Sequence, residues 1–91
     1  MRDDFANWLN FAAANKALQG ADLRVLLVLL SDSDQYFNSS ITQTEIARRL
    51  KNNPQQVNRS IQNLETNGII KRLKINHLTY GFKLAISTEE S

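Results

Sequence analysis

Thr42 to Thr66, T-Q-T-E-I-A-R-R-L-K-N-N-P-Q-Q-V-N-R-S-I-Q-N-L-E-T, carries the strongest fold signal in the chain. Thr42 and Glu45 form a T-x-x-E capping box, in which the hydroxyl and the carboxylate each take one of the amides left unbonded at a helix start. Ile46, Ala47 and Leu50 follow at helical spacing and give that helix one apolar face. Lys51-Asn52-Asn53 interrupts the pattern. Asn53 suits an N-cap and Pro54 suits the first helical position, where no amide donor is needed. Val57, Ile61 and Leu64 then mark the buried stripe of a second helix. Two capped helices around a short turn, the second almost free of acid, predict a helix-turn-helix.

Upstream, Asp3 or Asp4 can cap a first helix that runs to about residue 18 and stops at Gly20. Phe5, Trp8, Leu9 and Ala12 are its main apolar stripe, while Phe11 and Leu18 fall on the far side at 100° per residue. A helix apolar on two sides is buried deep or offers one side to a partner, and Phe5, Trp8, Phe11 and Leu18 are the candidate surface for a homodimer. The competing reading is that all four close the chain's own core. Ala21 to Leu30 contains L-R-V-L-L-V-L-L, which with Asp22 in its first turn predicts a central core helix. Ser31 to Ser40 is loop chemistry, with Tyr36 and Phe37 expected to anchor it on the core. Asp32 and Asp34 look like the start of a calcium loop but lack its glycine and closing glutamate, so no metal site is expected.

Downstream, Asn67-Gly68 signals a left-handed helix end. Two strands follow, the second alternating Tyr80, Phe82, Leu84 and Ile86 with Thr79, Gly81, Lys83 and Ala85. The turn between them carries Asn76 and His77. The expected elements are helices at about 4–18, 21–31, 43–51 and 54–67 and strands at about 69–75 and 79–86. This is a mainly α fold with a small β-hairpin wing, a winged helix-turn-helix. Residues 1–91 read as one domain, with the first helix over 1–19, the helix-turn-helix over 42–67 and the wing over 68–86.

Charge is distributed unevenly. The net charge is +2, but Met1 to Ala47 carries three bases against six acids, while Arg48 to Lys83 carries eight bases against Glu65 alone. A basic segment that coincides with a helix-turn-helix pattern is the electrostatic footprint of a nucleic-acid surface; the bland alternative is a solvated face with no partner. With no cysteine and a single histidine, the chain offers no nucleophile–base pair, metal cluster or glycine-rich phosphate loop, and an enzyme is not expected. The absence of cysteine also fits a cytoplasmic protein. No apolar run approaches the ~20 residues that span a bilayer. No cofactor, membrane partner or small-molecule ligand is indicated.

The segment E-I-A-R-R-L…V-N-R-S-I-Q-N-L-E-x-x-G-I-I, from Glu45 to Ile70, resembles the winged-helix segment shared by MarR-type regulators and by plasmid and phage replication proteins of the RepL and O types. G-A-D-L-R-V-L-L-V-L-L followed by a polar loop and I-T-Q-T-E-I-A is similar to the N-terminal part of the replication-protein domains. The resemblance extends over about Gly20 to Leu84 and is specific for the fold more than for one family. It departs at the turn, where Lys51 stands in place of the usual glycine and Asn52 in place of an apolar residue. Lys51 is therefore expected to adopt a left-handed conformation at a cost of about 1 kcal/mol.

With Val57, Ile61 and Leu64 facing inward, the opposite side of the second helix of the motif carries Gln55, Arg59, Gln62 and Thr66, flanked by Gln56, Asn58 and Asn63. Amide side chains pair bidentately with adenine and arginine with guanine, so Gln55, Gln56, Asn58, Arg59 and Gln62 are the base-reading candidates. Thr42, Gln43 and Thr44 at a helix start, Lys51, Asn53 and Ser60, and Lys71, Arg72, Lys74 and Lys83 on the wing are the phosphate-contact candidates. Arg48 and Arg49 are less clear-cut, since an acid can claim either. Asn76 and His77 form the wing tip, where His77 is placed to enter a minor groove or simply to be solvated. The expected function is sequence-specific binding of double-stranded DNA, as a transcriptional regulator acting by site occupancy. The alternatives are a plasmid or phage replication or maintenance protein that binds origin DNA and, in a different class, a winged-helix protein-interaction module.

Overall fold

The computed structural model describes residues 2–74 and 80–86. Four helices and three strands follow in the order α1 (Arg2–Ala14), α2 (Gly20–Asp32), β1 (Asn38–Ser39), α3 (Gln43–Leu50), α4 (Pro54–Thr66), β2 (Ile70–Lys74) and β3 (Tyr80–Leu84). The strands form one antiparallel sheet in the order β1-β3-β2. This is the expected winged helix, with one strand more than the expected hairpin. The strand β1 is two residues long, too short for alternation to reveal it, and it pairs Asn38 with Lys83 and Ser39 with Phe82. The turn with Asn76 and His77 lies outside the described residues. Among the described residues no helix is long and apolar enough to cross a membrane.

The core gathers Val25, Leu26 and Leu29 of α2, Ile46 and Ala47 of α3, Val57, Ile61 and Leu64 of α4, and Ile70, Phe82 and Leu84 of the sheet. The stripes drawn from periodicity are thus the faces that pack. α2 begins where the Asp22 carboxylate accepts the Gln19 amide at 2.9 Å. At the start of α3 the Thr42 hydroxyl accepts the Glu45 amide at 3.1 Å, but the expected capping box is only half made. The Glu45 carboxylate turns instead to Arg48 and Arg49, with guanidinium nitrogens at 2.9 and 3.0 Å.

α3 ends as the resemblance implies. Lys51 takes φ 55° and ψ 43°, and the Asn52 amide reaches back to the Ala47 carbonyl at 2.9 Å. α4 ends in the same way on Gly68 at φ 75°, with the Ile69 amide donating to the Leu64 carbonyl at 2.9 Å. Lysine bears at the first position the strain that glycine avoids at the second.

α1 stops at Ala14, four residues before the expected end. Its connection to α2 returns Leu18 to the core at 9% exposure. Trp8 is 6% exposed and its indole N–H donates to the Ile69 carbonyl at 3.3 Å. Phe5 stacks on Trp8 and on Phe37, with ring centroids 6.1 and 5.8 Å apart. Trp8 and Leu18 are therefore core residues and not a surface for a second copy, and Phe5 is half-buried beside them. Of the four dimer candidates only Phe11, at 55%, is broadly exposed. The loop after α2 also divides its expected pair of anchors: Phe37 packs on the core, whereas Tyr36 is 65% exposed. Asp34 folds that loop by accepting the amides of Tyr36 and Asn38 at 2.8 and 3.1 Å. Those bonds, that of Asn38 foremost, lower its pKa.

Candidate nucleic-acid interface

α4 is held at both ends and along its inner face, so its outer face is presented rigidly. The Asn53 side chain accepts the Gln56 amide at 2.7 Å and Pro54 occupies the first helical turn, as the sequence requires. Val57, Ile61 and Leu64 have no exposure at all. Gln55, Arg59, Gln62 and Thr66 are exposed on the opposite side, while Gln56 and Asn58 are half-buried at its margins.

Ser60 is the clear correction among the phosphate candidates. It is 1% exposed, lies on the Val57–Ile61–Leu64 side of α4 and cannot meet a phosphate. One residue before Ile61 and three after Val57, it lies on the flank of the buried stripe, about 40° from Leu64, and packing covers it. Its hydroxyl has no hydrogen-bond partner. A buried hydroxyl without a partner costs about 1–3 kcal/mol of desolvation. Ser60→Ala is therefore expected to raise the unfolding free energy, by about 1 kcal/mol, and to leave nucleic-acid affinity unchanged. Urea unfolding of the variant beside the parent checks this, and a loss of stability would point to a bond the hydroxyl makes.

Thr42, Thr44, Lys51 and Asn53 are exposed around the helix starts, and Gln43 is half-buried. The Gln43 amide donates to Asn58 Oδ1 at 3.3 Å, joining a phosphate candidate of α3 to a base candidate of α4. On the wing, strand register splits the four cations. Lys71 lies opposite Lys83, while Arg72 lies opposite the buried Phe82 and Lys74 opposite Tyr80. Side chains alternate along a strand, so Arg72 and Lys74 share the sheet face that carries Phe82, and Lys71 and Lys83 share the other. Arg72 is engaged by Glu65 of α4 at 3.0 Å. Two lysines directly opposite repel each other and favour an anion between or above them.

Acids already hold several of the bases. Arg48 and Arg49 both bind Glu45, whose pKa falls to about 2 through their hydrogen bonds, that of Arg48 first. A carboxylate with a lowered native pKa contributes stability that is whole above its ordinary value and is lost as the pH falls through the lowered one. Glu45→Gln is thus expected to flatten the loss of stability between about pH 4.5 and pH 2, measured by acid unfolding monitored by circular dichroism. An unchanged acid limb would show that the triad adds nothing to stability. Among the described residues no carboxylate pairs with Arg59.

The two margins of α4 are tied to different parts of the fold. On one, Asn58 meets α3 and Glu65 meets the wing. On the other, Asn63 donates to the Ala17 carbonyl at 3.0 Å and to the Asp22 carboxylate at 2.6 Å, and Asn15 donates to Asn67 at 3.5 Å. Sequence reasoning places Asn63 as a flanking polar residue and misses this tie, because contacts across more than 40 residues leave no periodic trace.

The model of the winged helix-turn-helix DNA-binding family matches residues 18–71, which takes in α2, β1, α3, α4 and the start of the wing. No curated protein sequence matches the chain.

Proposed function

The chain belongs to the winged helix-turn-helix DNA-binding family, and we propose that it is a sequence-specific double-stranded DNA-binding protein that regulates transcription by occupying its site. The observation that carries this reading is the outer face of α4, where Arg59 stands unclaimed by any described carboxylate among the exposed Gln55, Gln62 and Thr66. A face of amides and one guanidinium suits base edges better than it suits a phosphate backbone alone. Around it, Lys51, Lys71, Lys74 and Lys83 remain available for the backbone, which supplies affinity and register without sequence information.

Selection of bound duplexes from a random pool, followed by affinity measurements across salt concentrations, tests the proposal. A preferred site and a steep fall of affinity with salt are expected. A protein-interaction module would show neither. Lys74→Ala is expected to weaken selected and random duplexes alike and to reduce the slope of log affinity against log salt by about one. A site-dependent loss would move Lys74 from backbone grip to sequence reading.

A further inference from the structure

The phosphate-contact candidates that flank α4 stand on the side of α3 and the wing; the other side of the helix faces the connection between α1 and α2. There a groove of about 380 Å³ opens between Arg59, Gln62 and Thr66 of α4 and Ala17 and Gln19 of the connection. We propose that this groove seats the second phosphate strand bordering the DNA major groove, and that Lys16 and Gln19 are its contacts. The proposal rests on the DNA-reading function of α4.

The dimensions of the duplex set the geometry. The major groove of B-DNA is about 12 Å wide and an α-helix with its side chains about 10–12 Å across, so a helix lying in the groove has a phosphate strand on each side. α3 and the wing supply one bank, and the Asn15–Gln19 segment stands where the other must be. This bank is fixed to the reading helix. Asn63 holds the Ala17 carbonyl and the Asp22 carboxylate, Asn67 receives the Asn15 amide, and Leu18 is buried in the core. The segment therefore moves with α4 and registers the strand relative to the bases that α4 reads.

The electrostatics agree. Lys16 is the one base of the segment, is exposed, and adjoins Ala17 at the wall of the groove. Gln19 is exposed and lends an amide donor to the same wall. Asp22 also borders the groove, but it is 5% exposed and its Oδ2 is taken by the Gln19 amide at 2.9 Å and the Asn63 side chain at 2.6 Å. Its charge is turned into the fold, whereas the cations Arg59 and Lys16 face solvent.

The test measures binding of the full chain to its selected duplex and to a random duplex between 50 and 500 mM salt, for the parent, Lys16→Ala, Lys16→Arg and Gln19→Ala. Loss of one phosphate contact removes about 0.9 from the salt slope, so the advantage of the parent over Lys16→Ala should shrink about eightfold across that range, on both duplexes. Lys16→Arg should keep the parental slope, and Gln19→Ala should bind more weakly with the slope unchanged. Phosphate-ethylation interference should mark both strands with the parent and lose the marks on one strand with Lys16→Ala. A parental slope for Lys16→Ala, beside a normal loss for Lys74→Ala, overturns the proposal and leaves the DNA-reading function standing. A parent with no salt dependence and no preferred site overturns both.

Discussion

Replacing Arg59 with alanine is expected to weaken binding to the selected site about 5- to 150-fold, the equivalent of ~1–3 kcal/mol, and to relax the preference at one base pair. Affinity for a random duplex should fall much less. The size follows from what the guanidinium can do at the centre of the exposed face of α4. It is always charged, presents a planar fork of donors that matches the O6 and N7 of guanine, and is not diverted by a described acid. Arg59→Lys separates charge from geometry: it should recover the salt dependence of the parent but not the preference for the base. Competition binding with the selected duplex and single-base variants of it provides the measurement. Equal losses on selected and random duplexes for Arg59→Ala would place Arg59 on the backbone and remove it from sequence reading.

Trp8→Ala is expected to lower the unfolding free energy by about 3–5 kcal/mol, the range for deleting a buried aromatic side chain. Against the ~5–15 kcal/mol of a typical small protein, that is a large share. Two losses combine. The indole leaves a cavity between α1 and the base of the sheet, and the Ile69 carbonyl loses a donor, keeping only the Ala85 amide at 2.9 Å. The same measurement checks the place of Trp8 in the chain's own core. If Trp8 belongs to the chain's own core, urea midpoints of parent and variant shift equally at all protein concentrations. If it serves an interface between copies, the parental midpoint rises with concentration and the variant abolishes that rise. Phe11→Ala is the contrast: at 55% exposure it should change stability by no more than about 0.5 kcal/mol.

Much of the candidate site is legible in the order of residues alone. Thr42, Asn53 and Pro54 announce two helix starts, and Gly68 announces an end, because capping and backbone conformation are decided within a few residues. The left-handed Lys51 is legible only through the resemblance, whose pattern carries glycine at that position, because lysine has no preference of its own for that conformation. The outer face of α4 follows from three apolar positions, since one buried stripe fixes the opposite side of a helix. Local logic misleads where it is drawn too narrowly or runs out. Ser60 looks like a phosphate contact by its polarity and lies on the flank of the stripe, where packing and not periodicity decides its burial. Trp8 sits on the main stripe of α1, and a helical wheel does not say whether that stripe meets this chain or a second copy. Leu18 suits a second surface only on a wheel drawn for a helix to about residue 18, and the helix ends at Ala14. Once the chain leaves the helix, the 100° rule no longer places Leu18 anywhere.

Local sequence dictates the order of the four helices and the two wing strands, the N-caps Thr42 and Asn53, the inner stripe of α4 and the amide-rich face opposite it. Each of these depends on neighbours one to seven residues away, whose geometry the backbone fixes. Packing in three dimensions settles the rest: which arginines an acid restrains, which face of the wing each lysine occupies, and what stands on either side of the reading helix. Trp8 meets Ile69 across 61 residues, Asn63 meets Ala17 across 46, and Glu65 meets Arg72 only after the chain has turned from helix to strand. Such contacts are set by how elements pack against one another, and no local propensity encodes them.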